Sequence, residues 1–474
     1  MVNMRKTKII CTIGPKTETK EQIQKLIEAG SNALRLNTSH LTVQKCVDLI
    51  RTINEVRVDK GLPLSIIVDL AGSKIRTGSL LSEQIEMKRG ATVTLTSEPV
   101  VGSESILHIN YSKLANRVKP GQKILLDDGK VELKVTKVQN KGIKCDVISG
   151  GSITAQRGVN IPNVDIDLPL LTDEDMEFIK ACSKESVDYF CFSFVRDAES
   201  IVEARKVISS FGDFGLIAKI ETAQALNDLE RICEVSDGVL VARGDLGVET
   251  ALEEVPILQK RITAMARDHA VPVIIATQML ESMLENPTPT RAEIADIANA
   301  IFDGADALLL TSETAIGNYP VKSVEIMSKT AQEAEKWFED LRHDKPKLEN
   351  IATKDIPQAI AKSCWDLSKC IGAKAIITST ASGGTARRIS RFRPSAAIIA
   401  TTPEEKTFHR LSIVWGVAPI VIPQVNTTDV MIHVAAERAK ASGFVRTGDV
   451  VIVTSGVPCG VVGTTNMIKV HEVE

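Results

Sequence analysis

The chain has 474 residues, of which 43% are hydrophobic and 25% charged, with a net charge of −3; at about 150 residues per domain, that length predicts about three domains. This balance excludes a disordered or fibrous chain and gives no general affinity for nucleic acid or an anionic membrane, so any anion must be bound locally. No apolar run approaches the ~20 residues that span a bilayer, the start MVNMRKTKII lacks a secretory core, and nine scattered cysteines form neither a disulfide framework nor a zinc site, so a reduced, cytoplasmic protein is expected.

Short β-rich apolar runs begin at TKIICTIG (7–14), ALRLNTS (33–39) and LSIIVDL (64–70), each followed by polar residues: Arg35, Asn37 and Ser39 after the second, Asp69 at the end of the third. From 71 to 157 the period changes to short alternating segments such as ATVTLTS and KILLDDGKVELKV between Gly, Asn and Asp turns, which predicts an inserted β-rich domain placed as a lid. The helical alternation then resumes with DYFCFSF (188–194), GLIAKIE (215–221), GVLVARGD (238–245), PVIIATQ (272–278) and ALLLTSE (307–313). Eight continuous apolar runs alternating with amphipathic segments predict a (β/α)8 barrel over 1–70 and 158–343. After a helix (about 321–341) and the charged linker LRHDKPKLEN (341–350), the runs KAIITST, AAIIATT, APIVIPQ and DVVIVTS predict a C-terminal α/β domain over 344–474. Its turn Thr380-Ala381-Ser382-Gly383-Gly384-Thr385 is a hydroxyl-rich helix start, either a phosphate-holding loop or an ordinary strand-to-helix turn.

Polar residues at the C-terminal ends of barrel strands occupy the place where such barrels keep their active sites. Strand alternation puts Lys219 and Glu221 on one side, and Arg243 and Asp245 on one side. Glu221 and Asp245, at the ends of adjacent strands, suit one hard divalent cation that keeps sites for water and substrate oxygens; read as structure, they are surface carboxylates at loop starts. Lys219 beside them makes an electropositive corner that stabilises an enolate, or else a buried salt bridge to Glu221. The backbone from Ala242 through Arg243 and Gly244 to Asp245 opens a helix, which favours an anion such as a substrate carboxylate. Opposite stand Arg35, Asn37, Ser39 and His40, with Arg76 just past the third strand; paired arginines clasp phosphoryl oxygens, or serve as structural ion pairs. Thr277, Thr311 and Ser312 bring hydroxyls able to relay a proton through water.

These residues resemble the pyruvate kinase family essentially end to end. TKIICTIGP (7–15), RLNTSH (35–40), GSKIRTG (72–78), RGVNIP (157–162), AKIET (218–222), SDGVLVARGDLGVE (236–249), ATQMLESM (276–283), PTPTRAE (287–293) and SETAIGNYP (312–320) are similar to its signatures in order. The resemblance implies Mg2+, with Mn2+ as a substitute, held by Glu221 and Asp245. Phosphoenolpyruvate would sit among Lys219, Ala242 to Asp245 and Thr277, Arg35 would hold the transferring phosphoryl group, and Asn37, Ser39, His40, Arg76 and Arg157 would lie toward ADP. Pyruvate and ATP would be the products, with Thr277, or water held by Thr311 and Ser312, as proton donor. It further implies a homotetramer with a phosphorylated effector at the Thr380, Ser382, Gly383, Gly384, Thr385 loop.

The departures matter. Relatives that use K+ usually carry glutamate where Lys74 stands and threonine where Leu70 stands, while Asn37, Ser39 and Asp69 of that cation site remain. Lys74, across the cavity from the metal corner, is therefore expected to replace the monovalent cation, and K+ to be unnecessary. Thr38, Leu41 and Arg157 change the nucleotide side. Gly384 stands at a common arginine position, and GVPCGVVGTTN (456–466) lacks the tryptophan and arginine of fructose 1,6-bisphosphate-regulated forms, so a different effector or none is expected. Two other readings fit the metal corner: a barrel aldolase or lyase working through a pyruvate enolate, and a silent metabolite-sensing paralogue.

Overall fold

The computed structural model describes residues 5–474 other than 140–141, 163, 165, 342–354, 426 and 459–462. Eight parallel strands close into a barrel: β1 (Lys8–Thr12), β2 (Ala33–Asn37), β3 (Ser65–Leu70), β4 (Tyr189–Phe192), β5 (Gly215–Ile220), β6 (Gly238–Ala242), β7 (Val273–Ala276) and β8 (Ala307–Leu310), with β8 pairing back onto β1. The middles of the strands are apolar because both faces are covered, and polar residues gather toward their ends. Ile10, Ile67, Tyr189, Ile217, Leu240, Ile274 and Leu309 fill the interior, while their neighbours in the chain, such as Ile9, Ile66, Val68 and Leu216, pack outward under the helices.

Local chemistry sets the helix boundaries. In PTPTRAE the Thr290 side chain accepts the Glu293 amide and the Glu293 side chain accepts the Thr290 amide, so helix Arg291–Asp303 starts on a capping box. It ends at Gly304, whose φ of 105° is open to glycine and strained for other residues.

The inserted segment after β3 forms a six-stranded sheet and a two-stranded ribbon, Gln84–Met87 with Gly151–Thr154. The sheet's last strand, Val159–Asn160, pairs with Lys123–Leu126, so the chain leaves the lid a few residues beyond 157. An isolated bridge between Arg76 and Gly158 ties the lid's outgoing and returning strands at the barrel rim.

The C-terminal sheet has five strands in the order Val417–Val421, Ala397–Thr402, Ala375–Ser379, Val450–Gly456, Thr465–Glu472. The last runs antiparallel and is absent from the four sequence-predicted runs. Its sequence TNMIKVHE mixes polar with apolar residues because it lies at the sheet's edge, half in solvent. The expected linker at 341–350, with the boundary at 343/344, and part of the loop at 456–466 lie outside the described residues.

Where the C-terminal domain meets the bottom of the barrel, Ile413 packs against the barrel's interior cluster and a set of buried polar contacts surrounds it. Arg393 is 2% exposed and forks onto both oxygens of Asp306 at 3.0 Å, while the Trp415 and Val273 amides fill that carboxylate's remaining sites. On the far side, Ser65 donates to the His409 carbonyl (2.7 Å) and the Leu64 amide donates to His409 Nδ1 (3.3 Å).

Candidate active site

The C-terminal ends of the barrel strands bring a chain of buried charges together. Arg35, on β2, donates through Nε to Asp69 Oδ2 (2.6 Å) and through Nη1 to Thr12 Oγ1 (3.0 Å). The other oxygen of Asp69 lies 3.7 Å from Lys219 Nζ, which in turn stands 2.9 Å from Glu221 Oε1 and donates to Ser193 Oγ (2.8 Å). Lys219 and Glu221 thus share a side, as period-two alternation requires. Burial disfavours the Lys219 ammonium, but Asp69 and Glu221 outweigh it and hold its pKa above the usual lysine value. It is a fixed cation.

Glu221 is fully buried, and its Oε2 accepts the Phe194 amide at 2.7 Å. Burial raises its pKa; Lys219 opposes the rise and the nearby charge of Asp245 adds to it. Glu221 Oε1 and Asp69 Oδ1 are buried, and among the described residues each has only the Lys219 ammonium beside it, at 2.9 and 3.7 Å. Two carboxylates in mutual repulsion with an incompletely bonded oxygen fit a divalent cation, which would relieve both. Among the described residues no cluster of three or more Asp, Glu, His or Cys side chains converges, so such an ion would hold few protein ligands and keep sites for substrate oxygens.

Two of the expected positions need correction. Arg243 does not share a strand face with Asp245, because β6 stops at Ala242 and helix Arg243–Glu249 begins there. Its guanidinium turns away from the mouth, Nη1 donating to both oxygens of Asp296 (2.8 and 2.7 Å) and Nη2 to the Thr277 carbonyl (2.6 Å). It therefore braces the turn that carries Thr277. Lys74, expected across the cavity, stands instead on the metal wall, with Nζ 3.3 Å from Asp245 Oδ1, 3.8 Å from Asp128 of the lid and over the Phe194 ring.

Thr277 follows β7 with φ 71°, a left-handed conformation that is strained for a β-branched residue. Its hydroxyl accepts the Gly244 amide (3.0 Å), so one of the amides expected to meet a substrate carboxylate is already bonded. Thr311 presents its hydroxyl to Glu313 Oε2 (3.2 Å), and Ser312 is exposed at the rim. Asn37 caps the short turn Thr38–His40 through the Ser39 amide, and Ser39 and His40 are exposed. Arg76 and Arg157 sit at the lid hinge, bonded to the Gln156 carbonyl (3.2 Å) and Thr154 Oγ1 (2.6 Å). Leu70 is buried, its carbonyl taken by Ser193 Oγ.

Thr12, Ser193, Asp128 and Glu313 are absent from the sequence-derived site. Ser193 and Glu313 carry the strand-end signal used for the other residues. Thr12 ends β1 in the same way. Asp128 carries no such signal, because the lid delivers it from another fold unit.

In the C-terminal domain, Thr380, Ser382, Gly384 and Thr385 line an open cleft of about 160 Å3. The Thr380 hydroxyl accepts the Gly383 amide, and Gly383 takes φ 80°. Arg388 Nη1 reaches back to 3.0 Å from where a Gly384 side chain would begin, so a guanidinium occupies the space that the glycine leaves.

Comparison with known proteins agrees with this geometry. Residues 4–324 match the family model for the pyruvate kinase barrel domain, and 358–471 that for the pyruvate kinase alpha/beta domain. The chain is 47% identical to a pyruvate kinase of Thermotoga maritima over 99% of this chain and 100% of that one. It is 41% identical to that of Clostridium acetobutylicum, again over 99% and 100%. A solved pyruvate kinase from Cryptosporidium parvum superposes with a TM-score of 0.91 at 33% identity, covering 99% of this chain and 96% of that one.

Proposed function

This chain belongs to the pyruvate kinase family and is a phosphotransferase, and we propose on that premise that it transfers the phosphoryl group of phosphoenolpyruvate to ADP at the mouth of the barrel. The observation that carries this reading is the buried chain Arg35–Asp69–Lys219–Glu221, which sets two fixed cations on one rigid carboxylate scaffold. Glu221 and Asp245 would hold Mg2+, or Mn2+ in its place, which when bound would supply Lewis-acid polarisation of substrate oxygens. Arg35, oriented by Asp69 and Thr12, holds the phosphoryl group in line with the ADP oxygen. As the phosphorus–oxygen bond of phosphoenolpyruvate breaks, negative charge develops on the enolate oxygen. Lys219 faces that charge at no cost in reorganisation. Carbon is then protonated from the side of Thr277, or by water held by Thr311 and Ser312. Asn37, Ser39, His40, Arg76 and Arg157 form the nucleotide side, and Arg243 takes part only through the Thr277 turn it braces.

Lys74 places a permanent ammonium against Asp245 and the lid, which supports activity without added K+. The C-terminal cleft, with Thr380, Ser382, Gly383, Gly384, Thr385 and Arg388, suits the phosphate of an effector. A homotetramer is the assembly proposed, to be read by sedimentation equilibrium.

The decisive measurement is ATP formation from phosphoenolpyruvate and ADP in K+-free, Na+-free buffer with Mg2+ titrated. Full activity is expected there, with K+ activation confined to a Lys74→Glu variant. No ATP under any salt condition would remove the phosphotransfer reading, whereas strong K+ activation of the parent enzyme would remove only the role given to Lys74.

A further inference from the structure

At the end of the barrel opposite the mouth, a small, open surface cleft lies between the starts of β7 and β8 and the C-terminal domain. Its walls carry Arg267, at the end of helix Val255–Asp268, Arg387, in helix Gly384–Ser390, and Arg391 and Arg393 just beyond that helix. Two carboxylates stand near these four guanidiniums, and neither balances them. Asp306 is fully used by Arg393 and two amides. Asp268 is 59% exposed and approaches only Arg391, at 3.7 Å. Arg267 and Arg387 have no bonded acceptor among the described residues, and Arg267 Nε is buried and unsatisfied. The Arg391 side chain is 6% exposed. Burial, followed for Arg267 by the like charge of Arg393, lowers the pKa of both Arg267 and Arg391. Arg391 and Arg393 are buried and Arg267 and Arg387 half-buried, so positive charge gathers here with only partial compensation, an arrangement that an entering anion would relieve.

We propose that this cleft is a binding site for a phosphate-class oxyanion, held by Arg267, Arg387 and Arg391, with Arg393 locked to Asp306 as its floor. Guanidinium forks match the tetrahedral oxygens of phosphate and can share one dianion among several arginines. The site is distinct from the hydroxyl loop at 380–385: the two clefts share no lining residue, although Arg387 stands on the helix that the loop opens. It is also remote from the mouth, because β7 and β8 run their whole length between them.

The test is calorimetric titration of the full-length protein with inorganic phosphate against chloride at matched ionic strength. The mouth is filled with phosphoenolpyruvate and Mg2+, and the hydroxyl loop is disabled by Thr380→Val with Ser382→Ala. Phosphate should bind, and its Kd should rise at least about tenfold in Arg267→Gln and in Arg391→Gln, as expected for losing a charge-assisted hydrogen bond. Arg267→Lys, which keeps the charge and loses the fork, should lie between. Circular dichroism in phosphate-free buffer establishes that each variant is folded, and either glutamine variant suffices if the other is not. A nucleoside monophosphate that binds more tightly than inorganic phosphate marks a phosphorylated metabolite as the ligand, and the reverse marks free phosphate; both support the site. Unchanged phosphate affinity in the folded glutamine variants overturns it. So does unchanged affinity accompanied by dissociation in sedimentation, which would assign the arginines to a contact between copies of the chain.

Discussion

The two ends of the barrel both bury charge, and they treat it differently. At the bottom, Asp306 has every acceptor site filled by Arg393, Trp415 and Val273, and one oxygen of Asp188 takes both Arg57 and the Ile66 amide, each at 2.7 Å. At the mouth, Asp69 and Glu221 are as deeply buried, yet one oxygen of each has only the shared Lys219 ammonium for company, at 3.7 and 2.9 Å. Complete satisfaction marks a joint between domains, whereas a charge buried and left incomplete marks a place prepared for something to arrive. The arginine cleft is the exception at the bottom, and it is incomplete in the same sense.

Four experiments press on this contrast, and the largest effect belongs to the mouth. Lys219→Met should lower kcat by about a thousandfold or more, the scale of removing a preorganised charge facing a developing oxyanion, measured at a temperature where circular dichroism shows the variant folded, because Asp69 and Glu221 also lose a counter-charge. A near-normal rate would show that the mouth's charge chain is structural. Asp306→Asn should do the opposite, costing about 3 kcal/mol of stability in denaturant unfolding because Arg393 is left buried without its counter-charge. A small change there would mean that the joint is less tightly built than its hydrogen bonds suggest.

The third effect is a pH dependence at the joint. Burial first, and the charge of Arg57 second, lower the His409 pKa from 6.5 to about 3. The fold therefore favours neutral imidazole, and this contribution is present above pH 6.5 and is lost as pH falls from there through about 3. Stability at pH 4.5 should be lower by about 2 kcal/mol on this account, and a His409→Gln variant, compared by urea unfolding between pH 7 and 4.5, should lose that part of the slope. An identical slope in both proteins would place the titrating group elsewhere. The smallest effect is Thr12→Val, which removes one hydrogen bond from Arg35. It should reduce kcat/KM by about tenfold, the worth of a hydrogen bond to a charged group, with the unfolding midpoint little changed.

Much of the mouth was legible because strand periodicity is local. An apolar run ending in alternating polar residues specifies which side chains emerge together, and Lys219 with Glu221 emerged as expected. The same rule failed at Arg243 because it holds only while the strand lasts. The chain turns helical after Ala242, and the arginine swings to Asp296, 53 positions away. Lys74 was misplaced for a related reason: it lies where the chain leaves β3 for the lid, and its direction is set by Asp245 and the lid's Asp128.

By itself the sequence determined the order of strands, the inserted lid, the C-terminal α/β domain and the identities of the charged residues at the strand ends. Those follow from patterns a few residues long. Tertiary structure alone decided which carboxylates are left incomplete, which arginine braces and which faces the cavity, and that Arg267 and Arg391 meet across a domain junction. Burial and counter-charge are supplied by residues tens to hundreds of positions away, and a side chain's chemistry depends on that company as much as on its own identity.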